Sequence, residues 1–186
     1  GKRAGTDFPG ESPGMVLAYP DWSGSTIGTV PIGQGIAVTP LQMVSAYAAI
    51  GNGGVMPPAH VVAKIGGKKV RHGKGRRDVV VEGTGTEAAI PGYTVAGKTG
   101  TANKAENGRY VQKYVASFVG LVPARKPRLA ILVMVDEPRG QIFGGVVAAP
   151  IFRDIARFAL QYLEVPPDAP ESKRASSLLA TSALTP

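Results

Sequence analysis

In the run Val95-Ala96-Gly97-Lys98-Thr99-Gly100-Thr101 a lysine stands between two glycines, and hydroxyls follow it one and three residues later. A cation and two hydroxyls on an extended segment are the donors a small anion needs. Glycine removes the side chains that would keep such an anion off the backbone. The pattern therefore predicts a strand that presents Lys98, Thr99 and Thr101 to one ligand, with Gly100 permitting close approach. Other chemistry is sparse. The absence of cysteine excludes thiolate catalysis, disulfides and Cys-ligated zinc. His60 and His72 stand alone in proline-rich and basic contexts, without the partners of a metal or triad motif. Asp136 and Glu137 are adjacent, so on a strand they point to opposite faces and cannot work as an acid/base pair over one substrate.

The elements that must position this run are legible as an α+β pattern, an antiparallel sheet flanked by helices. Three strands are expected over 93–102, 114–122 and 129–136, and their short links favour antiparallel pairing. Thr39 offers an N-cap and Pro40 a first helical residue. Leu41, Val44 and Ala48 then recur at helical spacing until Gly51-Asn52-Gly53-Gly54 stops the helix. Pro150 opens a second helix, whose Ile151, Ile155, Phe158, Ala159 and Tyr162 form an apolar stripe expected to lie on the sheet. Short extended pieces are expected at 61–65 and 78–82. Residues 1–35, rich in turns, read as irregular but ordered. With 186 residues and 44% hydrophobic content, the chain is long enough for one domain. That domain is expected over 1–165, with 166–186 a disordered tail.

The net charge is +8, but six of the 21 basic residues, Lys68, Lys69, Arg71, Lys74, Arg76 and Arg77, fall within ten residues among glycines. No aromatic residue is interleaved for base stacking, so this run reads as a solvated loop and no nucleic-acid partner is expected. No apolar run reaches the roughly 20 residues that cross a bilayer, and the first residues lack the apolar core of a signal peptide. Any export signal or anchor is expected outside this chain.

Two competing readings of the lysine run follow from its letters. Gly92-Tyr93-Thr94-Val95-Ala96-Gly97-Lys98-Thr99 satisfies the nucleotide-binding P-loop pattern residue by residue. A P-loop, however, needs a buried strand before its first glycine and a helix starting at the lysine. Here Gly85-Thr86-Glu87-Ala88-Ala89-Ile90-Pro91 precedes it and Gly100 follows. The other reading makes Lys98 a plain exposed lysine, with Gly97 and Gly100 marking a bulge.

The Lys98-Thr99-Gly100 string resembles the third active-site motif of penicillin-binding proteins and serine β-lactamases. Other blocks carry the resemblance further, in family order. They are Gly1-Lys2-Arg3-Ala4-Gly5-Thr6-Asp7-Phe8-Pro9-Gly10-Glu11, Ile32-Gly33-Gln34-Gly35 with Thr39-Pro40-Leu41-Gln42, Tyr114-Val115-Ala116-Ser117-Phe118-Val119-Gly120, Val135-Asp136-Glu137-Pro138 and Gly144-Gly145-Val146-Val147-Ala148-Ala149-Pro150. Together they cover about residues 1–163 and look closest to class B penicillin-binding proteins of the septal, cell-division type. One departure is that family members carry a helix between the strand near Val61 and Gly83-Thr84-Gly85-Thr86, where this chain has the short basic loop.

The resemblance implies a peptidoglycan D,D-transpeptidase. A serine, activated by a lysine three residues on, attacks the carbonyl of a D-Ala-D-Ala stem peptide, and a neighbouring amine resolves the acyl-enzyme. It implies that Lys98 supplies positive potential and that the Thr99 and Thr101 hydroxyls bind the substrate carboxylate. The Thr101 N–H would be one arm of the oxyanion hole, and Gly100 would let the substrate lie along the strand. The chain holds no Ser-x-x-Lys and no Ser-x-Asn. The reading is thus the carboxy-terminal part of a transpeptidase domain, completed by a missing amino-terminal half that brings the nucleophile and two further strands. Implied partners are stem peptides, β-lactams and cell-division membrane proteins, with no cofactor and no metal. The implied place is the periplasmic face of the inner membrane. A binding module that kept the carboxylate site and lost the serine is the alternative.

Overall fold

The computed structural model describes residues 1–6, 9–30, 33, 35–62, 64–65, 67–69, 76–77, 88–107 and 109–169. The extended piece expected at 78–82, the 83–86 block, His72 and residues 170–186 lie outside that set. In chain order the elements are β1 (Met15–Val16), α1 (Thr26–Thr29), β2 (Ile36–Ala37), α2 (Pro40–Gly51), β3 (Val55–Met56), β4 (Lys64–Ile65), β5 (Lys68–Lys69) and β6 (Arg76–Arg77). Then come β7 (Ala96–Glu106), β8 (Arg109–Val122), β9 (Leu129–Asp136), α3 (Gly144–Val147) and α4 (Ala149–Tyr162).

The main sheet has the order β7-β8-β9, antiparallel throughout. The third strand falls where its sequence pattern put it. The first two are longer than expected because 103–113, expected as the link between them, continues the hairpin to a tight reversal. Asn107 takes φ 51° there, a backbone state in which Asn is favoured among non-glycine residues. Positions 93–95 precede the strand, Tyr93 making an isolated bridge to Ile90. The expected 61–65 strand shrinks to β4, paired with β5.

Helices cover both faces of this sheet. Phe118 and Gly120, two apart on β8, meet Phe152 of α4 on one face, with the Phe118 and Phe152 ring centroids 4.8 Å apart. Leu121, of opposite parity, meets Gly51 of α2 on the other. Helix α2 begins with a full capping box. Thr39 Oγ1 accepts from the Gln42 N–H at 3.1 Å, and Gln42 Oε1 accepts from the Thr39 N–H at 2.7 Å. The Gln42 amide nitrogen also donates to the Lys2 carbonyl at 2.7 Å and the Pro13 carbonyl at 2.9 Å, tying the first segment to this helix.

The face of α4 corrects the sequence reading. Its buried residues are Ala149, Phe152, Ala156 and Leu160, while Ile151, Ile155, Phe158 and Tyr162 are exposed, Tyr162 by 77%. Both sets obey helical spacing. Gly120 beneath the helix accommodates the Phe152 phase, since a Cβ there would lie 2.7 Å from the Phe152 ring. The tail reading is corrected over 166–169. The Asp168 carboxylate accepts from the Thr94 N–H at 2.7 Å and from the Thr94 hydroxyl, and Ala169 is buried with its N–H on the Gly92 carbonyl.

Two outcomes follow. Phe152→Ala should destabilise the chain by about 3–5 kcal/mol, as deletion of a buried aromatic does. Phe158→Ala should change stability by roughly 0.5 kcal/mol or less, the scale of surface substitutions, in the same denaturant titration. Glu11 accepts the N–H groups of Ala4, Gly5 and Thr6. Desolvation pushes its pKa up, but the Thr6, Ala4 and Gly5 N–H bonds outweigh this and hold it below the ordinary value. A lowered carboxylate pKa stabilises above the unfolded value and loses that contribution as pH falls through the folded one. Amide exchange at 4–6, corrected for its intrinsic pH dependence, should therefore accelerate in acid, and Glu11→Gln should show the acidic rate near neutrality.

Candidate functional site

β7 runs through Lys98 without interruption, which overturns the P-loop reading: no helix starts at the lysine, and Lys98 pairs with Val119 within a ladder. The bulge reading is corrected too. The register shift in β7 lies between Asn103 and Ala105, away from Gly97 and Gly100. The glycines answer to packing. A Cβ on Gly97 would sit 2.5 Å from the Phe118 ring, and one on Gly100 would sit 2.5 Å from Ser117 Oγ.

The pleat separates what the sequence grouped. Gly97, Thr99 and Thr101 share the α3/α4 face, where Thr99 Cγ2 lies under Gly145 and Thr101 Oγ1 accepts from the Gly144 N–H at 3.2 Å. Lys98 and Gly100 belong to the α2 face. What reunites them is the edge. Lys98 Nζ donates to the Thr99 carbonyl at 2.7 Å, a reach suited to a carbonyl turned away from β8. In an antiparallel ladder alternate residues turn both N–H and C=O toward the partner strand. Thr99 and Thr101 thus direct their N–H and C=O groups outward, while Lys98 and Gly100 direct theirs toward β8. Among the described strands β7 has no neighbour on that outer side.

Charge is arranged differently at the two ends of the strand. Lys104 bonds Glu137 and Asp136, which hold its pKa above the ordinary value, and Lys113 is raised likewise by Glu106. Asp136 ends β9 as expected, and Glu137 at φ 48° turns back so that both carboxylates reach one lysine. Among the described residues Lys98 is in no ion pair. The arrangement offers an incoming anion a cation without a counter-charge, two hydroxyls and the outward N–H groups of one strand. These groups lie along the edge of the sheet. A cavity of about 220 Å³ lies elsewhere, between the end of α2 and the β8–β9 turn, lined by Ala48, Gly51, Pro57, Leu121 and Pro127 among others.

His60 is exposed, its Nδ1 3.1 Å from the Pro58 carbonyl. Among the described residues no cluster of His, Cys, Asp and Glu could hold a metal. The contact sequence reasoning missed is that of Gly144 with Thr101. Its only signal was the glycine pair that opens α3.

The family description that matches is the penicillin binding protein transpeptidase domain, over residues 1–157. The chain is 36% identical over 193 residues to stage V sporulation protein D of Bacillus subtilis, covering 90% of this chain and 30% of that protein. It is 36% identical over 182 residues to the peptidoglycan D,D-transpeptidase FtsI of Escherichia coli, covering 91% and 31%. Among solved structures, penicillin binding protein 3 of Mycobacterium tuberculosis complexed with aztreonam superposes with a TM-score of 0.77 at 35% identity, over 91% of this chain and 45% of that one. The chain spans less than half the length of each of these three proteins.

Proposed function

Because this chain belongs to the penicillin-binding protein transpeptidase domain family, we propose that it is the carboxylate-binding part of a serine D,D-transpeptidase that crosslinks peptidoglycan stem peptides in septal wall synthesis. The observation that carries this reading is the open edge of β7, where Lys98 has no counter-charge among the described residues and Thr99 and Thr101 turn outward. A terminal D-Ala-D-Ala segment added along that edge would set its carboxylate against Lys98 and the two hydroxyls, as in β-strand addition. Its scissile carbonyl would meet the Thr101 N–H, one arm of an oxyanion hole, worth about 3 to 4 kcal/mol in comparable sites. Gly100, without a side chain, lets the peptide approach.

The nucleophilic serine and its lysine come from a segment other than these 186 residues, since no Ser-x-x-Lys occurs in them. On this reading 1–165 is the carboxy-terminal part of the catalytic domain. The exposed apolar stripe of α4, Ile151, Ile155, Phe158 and Tyr162, supports it, as surface that a further segment would cover. The same site would take β-lactams; the mycobacterial relative is known in complex with one, aztreonam. The enzyme would work at the periplasmic face of the inner membrane among cell-division membrane proteins. Among the described residues no helix is long and apolar enough to cross a membrane, so this reading takes the anchor from another segment.

Intact mass after incubation with a β-lactam tests the proposal. The chain alone should gain no covalent adduct. Mixed with the amino-terminal half of a related domain, that half should become acylated, and Lys98→Ala should slow the acylation about tenfold or more, the scale for losing a charge-assisted contact. An adduct on the isolated chain would overturn the split-site reading, as would acylation indifferent to Lys98.

A further inference from the structure

The Thr101 hydroxyl and the Gly144 main chain make a contact that carboxylate binding does not by itself require. A threonine hydroxyl has one proton to give and two lone pairs to offer. Gly144 N–H occupies a lone pair at 3.2 Å, and among the described residues this is the only hydrogen bond the Thr101 hydroxyl makes. Its proton has no partner among the described residues. Thr94 shows the opposite case: its hydroxyl receives the Ala124 N–H at 3.0 Å and gives its own proton to Asp168.

Gly144 is held where only glycine fits. A Cβ there would stand 2.2 Å from the Ser117 carbonyl oxygen and 2.6 Å from that of Gly100, both main-chain atoms of the sheet. The neighbouring Gly145 is not so confined, since its Cβ would meet Thr99 Cγ2 at 3.4 Å, an ordinary contact. The bare glycine is what brings an N–H close enough to reach the Thr101 side chain.

We infer that Gly144 is a positioning residue: by donating to Thr101 Oγ1 it fixes that side chain and keeps its O–H as a donor at the β7 edge, so that the site selects an anionic carboxylate over a neutral amide terminus. An amide would set its own N–H groups against Lys98 and the hydroxyl and leave donors unpaired, the situation in which polar sites discriminate most strongly. This inference rests on the carboxylate site proposed above.

NMR on the labelled 186-residue chain tests it in two arms. Without ligand, three-bond couplings should show one Thr101 χ1 rotamer and the Gly144 amide should exchange slowly. Thr101→Val should speed that exchange, and Thr101→Ser should restore it. An averaged rotamer, or a Gly144 amide indifferent to Thr101→Val, overturns the inference whatever the ligand does. In the second arm, N-acetyl-D-alanyl-D-alanine and its carboxy-terminal amide are titrated. The carboxylate should bind roughly tenfold to a hundredfold tighter, the range for a hydrogen bond to a charged group. Gly144→Ala and Thr101→Val should each lose most of that preference, while Gly145→Ala keeps it. Full preference in Gly144→Ala overturns the inference and leaves the carboxylate site standing. No preference in the unmodified chain, with the Thr101 contact intact, overturns both.

Discussion

A β-strand turns every second peptide toward its neighbour, and β7 has a described neighbour on one side only. Half of its N–H and C=O groups are satisfied by β8, and the other half face outward, where they need water or a ligand. The rest of the site depends on that imbalance. Thr99 and Thr101 are the residues whose peptides face out, and the pleat sets their side chains on the same face, beneath Gly144 and Gly145. Lys98, rooted on the opposite face, meets them at the edge through the Thr99 carbonyl.

Holding one edge open requires that the other parts of the sheet be fixed. Phe118, Val122, Phe152 and Leu160 are fully buried and join β8 to α4, and α2 covers the opposite face near Leu121. Glycines allow this closeness at Gly97 and Gly120, where a side chain would collide with the Phe118 and Phe152 rings. Glycine at Gly100 and Gly144 serves the site directly, one bringing β7 over Ser117 and the other bringing α3 over β7. The paired carboxylates at Asp136 and Glu137 are occupied by Lys104, which leaves Lys98 as the cation at the edge without a counter-charge among the described residues.

What the sequence revealed, and where it misled, follows the range of the interactions involved. Thr39 and Pro40 announce the start of α2 because a cap is a local contact, closed here by Gln42 three residues on. The bounds of β9 were legible because Leu129 to Asp136 is a continuous apolar run closed by charge. The site residues were legible as donors, and strand alternation divides them between two faces, but which helix covers each face is assigned only by the fold. The orientation of α4 was not legible. Ile151, Ile155 and Phe158 are as apolar as Phe152, Ala156 and Leu160, and the space that admits Phe152 is left by Gly120, 32 residues before it. Packing at that separation leaves no local periodicity to read. The same holds for Asp168, bonded to Thr94 across 74 residues.

The central claim is that a carboxylate-ended peptide binds as a strand along the open edge of β7, and residue-resolved amide exchange of the chain with saturating N-acetyl-D-alanyl-D-alanine addresses it most directly. The account predicts an alternating footprint, with new protection at Thr99 and Thr101 and little change at Lys98 and Gly100, whose N–H groups already face β8. Uniform protection along β7, or protection confined to the cavity between α2 and the β8–β9 turn, would contradict it.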